Sequence, residues 1–506
     1  MTRFRLRTFL AAALTFAALP PLHAGAQTRD NVALGRGSGA TAARADALAE
    51  RIDAVLDRPA LRRAHWGIEV RDAASGRVLY ARDADRLFIP ASNLKLIVTA
   101  TAAHHLDPGF RYRTSLYATG PVAEGTLAGD VVLYGRGDPL ISARGGRDRL
   151  AVFEAFADSL LARGVRRVAG GVVADESFFD GDHLRGDWEA DDLLWWYAAP
   201  VSALGFNDNS IDVRIAPGSA PGRTARVTFE PRTDYVTLVN AATTVAAGRA
   251  RTVDLERLPG RGRLRAYGQV PANALTDIEY FAVDDPARFA GTVFREVLER
   301  KGIAVEVDSI RVVTDPAQSP ADSTRLVAEH RSDPLAAVIG PILKNSQNWF
   351  AEQLVKTLGR ELRGEGSWDA GLAVEREFLT REVGIDSADF VLRDASGLSA
   401  GNLVTPRALV QLLDYIRRTP GQEAVRRGLP VAGGEGSLQA RFPELPGRVT
   451  AKTGYIGNVD SLSGFVTLQN GRVVIFSIIA NQSGQSTGRM KAGIDDVVRA
   501  IAGEGR

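Results

Sequence analysis

The sequence predicts an α/β (α+β) fold, in which an antiparallel sheet is flanked by helices and the chain is interrupted by a large strand-rich insertion. Two hairpin patterns, one near residue 66 and one near residue 449, supply the strands of the sheet. An almost wholly apolar helix follows the first hairpin, and a long glycine-rich run of short strands separates the two hairpins. A chain of 506 residues is long enough for two or three domains with ample core.

The first predicted elements are a helix, a hairpin and a buried helix. Helical character runs from Asp46 to Leu56, and Ala74-Ser75-Gly76 then turns one alternating strand, around Trp66 to Val70, back into a second, Val78 to Ala81. The run after Pro90 is apolar nearly all the way round, which indicates a helix buried on every side.

Short strands with frequent glycines fill residues 116 to 329, and we expect one or two inserted domains there. A helix from Pro286 to Lys301 ends at Gly302, with proline and glycine in their preferred capping positions. Two separate strands are predicted after it, at Ile303 to Val307 and Ile310 to Val313.

The last part of the chain returns to helices and ends in antiparallel strands. One helix runs toward Leu343, with Pro341 kinking or ending it, and the next stops at Gly359. The later elements are helices at 368–383 and 406–417, strands at 449–455, 462–468 and 473–480, and a final helix with one apolar face. The predicted organisation is therefore a signal peptide at 1–26, a catalytic domain in two parts at 40–115 and 330–502, and the insertion at 116–329.

The N-terminal segment has the pattern of a secretory signal peptide. Three arginines precede an apolar stretch from Phe9 to Leu19, and a small-residue site follows with cleavage expected after Ala26. No other window approaches membrane-spanning length, so we expect a periplasmic protein with no stable membrane span. A net charge of +2 and ordinary globular composition argue against a nucleic-acid partner.

Ser92 and Lys95 lie three residues apart at the start of the buried helix and form a candidate nucleophile and base. Residues i and i+3 share a helix face, so the ammonium nitrogen would reach the hydroxyl. The plainer interpretation is a capping serine beside an exposed lysine. The chain has 62 lysines and arginines but only six lysines, at 95, 301, 344, 356, 452 and 491. Because arginine cannot act as a base, a lysine at position 95 favours a catalytic role over a capping one.

Two further motifs follow in chain order. Ser346 and Asn348 form S-x-N between two predicted helices, and Lys452-Thr453-Gly454 lies on a late strand. Ser346 could relay a proton, and the Asn348 amide could hold the base or the substrate. The residues proposed to bind substrate are Lys452, Thr453, Gly454 and Tyr455, and the backbone N–H groups of Ser92 and Tyr455 form a candidate oxyanion hole.

A second prediction concerns the pKa of Lys95. Burial and a nearby Lys452 ammonium would both disfavour a second positive charge and push this pKa down.

The three motifs together are the set of the penicillin-binding proteins and serine β-lactamases. The sequence resembles the low-molecular-mass class C penicillin-binding proteins, which are D-alanyl-D-alanine carboxypeptidase/endopeptidases. The long interval between Ser92 and Ser346 favours them over a β-lactamase, which has no room for such an insert. Further supporting motifs are Gly135-x-Gly137-Asp138-Pro139, Ala199 to Leu204, Asp394-x-Ser396-Gly397-Leu398-Ser399, Leu429 to Gly433 and Leu462-Ser463-Gly464.

This resemblance implies a penicillin-binding/serine β-lactamase-like fold that cleaves terminal D-Ala from peptidoglycan stem peptides, and D-amino-acid crosslinks as a further substrate. It also implies acylation of Ser92 by β-lactam antibiotics, with no cofactor. No metal is expected, since the six histidines form no zinc motif. The alternatives are a β-lactamase or esterase that uses the same site, and a non-catalytic cell-wall-binding protein. Asp394, Ser396 and Ser399 are interpreted as a turn-making loop near the site.

Overall fold

A five-stranded antiparallel sheet is built from chain segments that lie far apart in the sequence. The structure is a computed structural model that describes residues 39–321 and 325–503; the predicted signal peptide lies outside these residues. The described chain from Ala45 onward is one compact unit. The strands, in spatial order, are Val78–Arg82, His65–Asp72, Val473–Asn481, Val459–Thr467 and Val449–Ile456. The predicted antiparallel sheet flanked by helices is therefore confirmed.

The strand Val473–Asn481 shows how the two faces of this sheet are covered. Ile475 and Ile479 pack into the core that surrounds the helix after Ser92. The alternate residues Phe476 and Ile478 pack into a second core, formed with the first and last helices. Because successive strand side chains point to opposite faces, one apolar strand serves both cores and fixes the sheet between two helical layers.

The helices carry apolar faces as the sequence predicts, with a short 3₁₀ turn before the second one. This turn, Ala91–Leu94, runs directly into the helix Lys95–His105. Below, we call them the Ser92 turn and the Lys95 helix. The α-helices of the described residues are Gly39–Leu56, Lys95–His105, Ala151–Ala162, Pro286–Arg300, Ala336–Lys344, Asn348–Arg363, Trp368–Glu377, Pro406–Arg418, Glu423–Gly428 and Thr487–Ile501.

The prediction that a helix stops at Gly359 is wrong. The helix Asn348–Arg363, called the Asn348 helix below, continues to Gly364, which has a left-handed φ of 77°. A Cβ on Gly359 would come within 2.8 Å of the backbone nitrogen of Gly371 in the following helix. Gly359 therefore allows two helices to approach closely and does not end one of them.

A seven-stranded sheet and smaller sheets lie within residues 113–331. The predicted strands at 303–307 and 310–313 are one strand, Ala304–Val313, whose pairing with Arg167–Asp175 shifts register between Val305 and Arg311. The large sheet has the order Leu326–Arg331, Arg113–Ala118, Val131–Gly135, Arg167–Asp175, Thr126–Leu127 and Val122–Ala123, with Ala304–Val313 on Arg167–Asp175. The smaller sheets contain Thr237–Asn240, Arg263–Tyr267 and Asp254–Arg257; Thr243–Val245 and Gln269–Pro271; Asp277–Ala282, Ser210–Ala216 and Arg226–Glu230; and, outside this region, Phe390–Val391 and Leu403–Val404.

The boundaries 40–115, 116–329 and 330–502 stay predictions, since the described chain from Ala45 forms one unit. Within residues 39–321 and 325–503, no helix combines the length and apolar character that crossing a bilayer requires.

Candidate active site

The Ser92 turn is held between two glycines from distant parts of the chain. Ala91 has a φ of 48°, an uncommon conformation for a residue with a side chain. A Cβ on Gly397 would lie 2.0 Å from the Ala91 carbonyl oxygen, and one on Gly454 would lie 3.0 Å from the Ser92 nitrogen. Both glycines therefore permit backbone contact that no other residue would allow, and this contact fixes Ser92.

Lys95 is fully buried and its Nζ contacts three oxygen atoms. The distances are 2.8 Å to Ser92 Oγ, 2.7 Å to Asn348 Oδ1 and 2.6 Å to the carbonyl oxygen of Ser396. Burial lowers the pKa of Lys95 to about 7, although nearby Asp394 and Glu352 act to raise it. A substantial fraction of Lys95 is therefore neutral near pH 7, as a general base requires.

Asn348 is the first residue of its helix, and its side-chain amide is bonded at both ends. Oδ1 accepts from Lys95, and Nδ2 donates to the carbonyl oxygen of Tyr197 at 2.8 Å. Tyr197 belongs to the predicted insertion, and sequence reasoning did not connect it with the site. Because the Tyr197 carbonyl accepts only from the NH₂ end of the amide, it turns the oxygen toward Lys95.

Ser346 and Lys452 form a second pair beside the first. Lys452 Nζ donates to Ser346 Oγ at 2.9 Å and to the carbonyl oxygen of Thr453 at 2.7 Å. Ser346 has a φ of 60°, which reflects the sharp step between two helices. Burial, and secondarily the charge of Lys95, lower the pKa of Lys452 well below its usual value.

The lowered pKa of Lys95 agrees with the prediction that burial lowers it, but two opposing charges were not predicted. We expected burial and the Lys452 charge to act together on Lys95. Burial lowers this pKa, the charges of Asp394 and Glu352 oppose it, and repulsion between the two lysines disfavours a second positive charge on the pair. The opposing effect comes from two buried carboxyl groups that the sequence did not connect with Lys95.

A cleft of about 200 Å³ opens onto Ser92 and Ser346. Thr453 Oγ1 donates to Ser437 Oγ at 2.8 Å on one wall, and Tyr455, with 52% of its surface exposed, lies at the rim. The cleft is lined by Ser92, Ser346, Ser437, Arg441, Thr453, Gly454, Tyr455, Asp460, Ser461, Lys491 and Ile494. These contacts and this cleft bring together the eight residues singled out from the sequence, which are Ser92, Lys95, Ser346, Asn348, Lys452, Thr453, Gly454 and Tyr455. The structure adds Ser437, Arg441, Asp460 and Lys491 to the cleft, which sequence reasoning did not connect with the site.

Metal-ligand clusters do not occur in the part of the chain that the structure describes, where no group of three or more histidines and carboxylates could hold an ion. The cleft itself presents the hydroxyl groups of Ser92, Ser346 and Thr453 beside the charged side chains of Arg441, Asp460 and Lys491.

The sequence model of the D-Ala-D-Ala carboxypeptidase 3 (S13) family matches residues 48–501. The chain belongs to this family. This serine-type carboxypeptidase is 37% identical to a D-alanyl-D-alanine carboxypeptidase of Actinomadura sp. (strain R39), over 93% of its own chain and 86% of the relative. It is 24% identical to D-alanyl-D-alanine carboxypeptidase DacB of Haemophilus influenzae, with 84% and 87% of the two chains covered.

A solved structure gives the same result for the fold. Penicillin binding protein 4 (dacB) of Haemophilus influenzae matches with a TM-score of 0.77 at 22% identity, over 90% of the carboxypeptidase and 98% of that chain. The predicted family and the predicted activity, a D-Ala-D-Ala carboxypeptidase, are confirmed.

Proposed function

We propose that this carboxypeptidase removes the terminal D-alanine of peptidoglycan stem peptides through an acyl-enzyme on Ser92. The observation that carries the proposal is the 2.8 Å contact between Ser92 Oγ and the buried Nζ of Lys95, whose pKa is about 7. A serine hydroxyl is a weak nucleophile until an adjacent base takes its proton.

Acylation begins when Ser92 Oγ attacks the carbonyl carbon of the bond between the last two residues. The hydroxyl proton passes to the lone pair of Lys95 Nζ, and the carbonyl π electrons move onto oxygen. The backbone N–H groups of Ser92 and Tyr455 are the proposed donors to this oxyanion. The C–N bond then breaks, the leaving amine takes a proton, and water later releases the shortened peptide by the same steps in reverse.

The pair formed by Ser346 and Lys452 supplies that proton in the proposed mechanism. Ser346 Oγ accepts from Lys452, so its own hydroxyl hydrogen is free to point toward the leaving nitrogen. Lys452 and Thr453 provide a cation and a hydroxyl for the substrate carboxylate, and Gly454 leaves room for the substrate backbone.

Penicillins would acylate the same serine, because a strained lactam is an acyl donor for the same nucleophile.

The stem-peptide substrate also requires that the protein lie outside the cytoplasm, and the predicted signal peptide at 1–26 would direct its export. N-terminal sequencing of the exported protein tests this location: a mature chain that begins at Gln27 supports it, and an intact Met1 contradicts it.

Mass spectrometry of purified muropeptides tests the activity and the nucleophile together. The carboxypeptidase should convert pentapeptide stems to tetrapeptides, and loss of crosslinked dimers would add endopeptidase activity. Ser92→Ala should abolish both D-Ala release and labelling by fluorescent penicillin. Labelling that persists in Ser92→Ala would refute the nucleophile, and rapid turnover of the penicillin adduct would point to a β-lactamase.

A further inference from the structure

We propose that Asp394 and Glu352 are positioning residues that hold the Ser396–Gly397 peptide group so that its carbonyl stabilises the charge on Lys95 during acylation. The inference rests on the proposed roles of Ser92 and Lys95. Both carboxyl groups are fully buried, and neither contacts the cleft that would receive substrate.

Asp394 acts through a single peptide group. The carbonyl oxygen of Ser396 accepts from Lys95 Nζ at 2.6 Å, and the N–H of Gly397, on the other side of the same peptide, donates to Asp394 Oδ1 at 2.8 Å. Hydrogen bonds in such a chain polarise one another, so a carboxylate behind the N–H strengthens the carbonyl as an acceptor. Asp394 thus acts on Lys95 as the acid of a Ser-His-Asp triad acts on its histidine.

Glu352 fixes the same loop from the opposite side. Its Oε1 accepts from the backbone N–H of Ser396 at 2.7 Å and of Ala395 at 3.2 Å, and its Oε2 accepts from Trp368 Nε1 at 2.7 Å. Glu352 follows Asn348 by four residues, so both lie on one face of the Asn348 helix. The Asn348 helix therefore positions two of the three oxygens around Lys95: Asn348 Oδ1 directly, and the Ser396 carbonyl oxygen through Glu352.

The three oxygens around Lys95 Nζ can form hydrogen bonds with both the neutral and the charged form of the amine. A neutral amine has two N–H donors and one lone pair, and the carbonyls of Asn348 and Ser396 take both donors, which leaves the lone pair for the Ser92 proton. When that O–H bond breaks and the proton bonds to Nζ, the new ammonium keeps both carbonyl acceptors. No proton moves to Asp394 or Glu352.

Several charges surround this group on the elements packed against it. Asp394 and Glu352 raise the pKa of Lys95, while the charge of Lys95 lowers the pKa of Lys452, which lies on the strand Val449–Ile456. Burial raises the pKa of Glu352 to about 7. Glu375, on the following helix, has a pKa raised well above its usual value by burial and by Glu352. One turn further along the Asn348 helix, Lys356 is paired with Asp180.

The test is the pH dependence of acylation by a fluorescent penicillin in Glu352→Gln, made in a Trp368→Phe background. The background is needed because the amide NH₂ of glutamine would face the Trp368 N–H, donor against donor. Relative to Trp368→Phe alone, the plateau rate should fall about tenfold. The acid limb should move to lower pH, because the Glu352 carboxylate, which is present above its pKa of about 7 and favours the ammonium, is gone.

Glu375→Gln is the matched control, since Glu375 is equally buried but is not among the charges that act on Lys95, and its acid limb should stay in place. Asp394→Asn should shift the limb in the same direction as Glu352→Gln, because it removes a charge that raises the pKa of Lys95. It is made together with Trp188→Phe, since Trp188 Nε1 donates to the oxygen that becomes an amide nitrogen. An acid limb that stays in place in the Glu352 variant, whatever its plateau rate, would overturn the inference. Labelling of Ser92→Ala would instead overturn the proposed function beneath it.

Discussion

Lys95 determines what the site can do, because its side chain combines full burial with three oxygen contacts. Burial disfavours the charged form and lowers the pKa to about 7. An arginine at this position would keep its charge at any pH at which the protein is folded. The scarcity of lysine in the sequence had drawn attention to this position, which the structure shows to be fully buried.

Lys95→Arg should lower the rate of acylation by about 10²-fold or more, because the guanidinium cannot take the Ser92 proton. The measurement is the second-order rate constant for labelling by fluorescent penicillin. Lys301→Arg is the control, since Lys301 is on the surface in an ion pair with Asp158, and it should label at the normal rate. Normal labelling of Lys95→Arg would exclude Lys95 as the base.

At the scale of single residues, the sequence singled out three candidate groups of the site but not the buried acids behind them. Ser92, Lys95 and Asn348 were recognised because their spacing matches a known motif set. Glu352 is one of many glutamates and stands in no motif, and Asp394 was interpreted only as a turn former. The roles proposed for them rest on burial beside Lys95, which depends on tertiary packing and cannot be recognised from spacing.

At the scale of elements, the site depends on the close approach of one strand to the Ser92 turn. Gly454 lies on the strand Val449–Ile456, and a Cβ there would meet Ser461 Oγ at 2.2 Å and the Pro90 carbonyl oxygen at 2.9 Å. The strand therefore cannot keep its position with any side chain at 454.

Gly454→Ala should reduce acylation about tenfold or more and lower the thermal unfolding midpoint, because the strand and the Ser92 turn must move apart. Gly488→Ala is the control: nothing lies within 4 Å of its Cβ position in the last helix, so neither quantity should fall. Unchanged acylation in Gly454→Ala would show that this contact is not needed.

Element boundaries show where sequence reasoning reaches its limit. The helix Pro286–Arg300 was predicted closely, because Asp285 accepts from the Arg288 backbone N–H and the proline and glycine lie at its ends. Gly359 has the same local appearance as a helix stop, yet it is a point of contact between two helices. The two uses of glycine differ only in what packs against it, which the local sequence does not contain.

At the scale of the whole molecule, the fold joins three motifs that are widely separated in the chain. The first comes with the early hairpin, the second starts the Asn348 helix, and the third lies on an edge strand of the five-stranded sheet. Their order and elements were predictable from the sequence. The contribution of Tyr197, whose carbonyl holds the Asn348 amide, was not, because a backbone acceptor leaves no signature in the residue type.

Lys452→Met should lower both acylation and substrate affinity, since Lys452 holds Ser346 and would also bind the substrate carboxylate. Methionine keeps most of the buried volume, which limits the loss of stability. Steady-state hydrolysis of a D-Ala-D-Ala peptide separates the two effects. A rise in KM with no change in kcat would mean that Lys452 only binds substrate.

The central claim is that neutral Lys95 takes the proton of Ser92. The most direct test is the rate of acylation of the wild-type protein by fluorescent penicillin, measured by stopped flow from pH 5 to pH 9. Because the pKa of Lys95 is about 7 and only the neutral amine accepts a proton, the rate should rise with pH through an acid limb near 7 and then level off. A rate that is constant across this range would contradict the account.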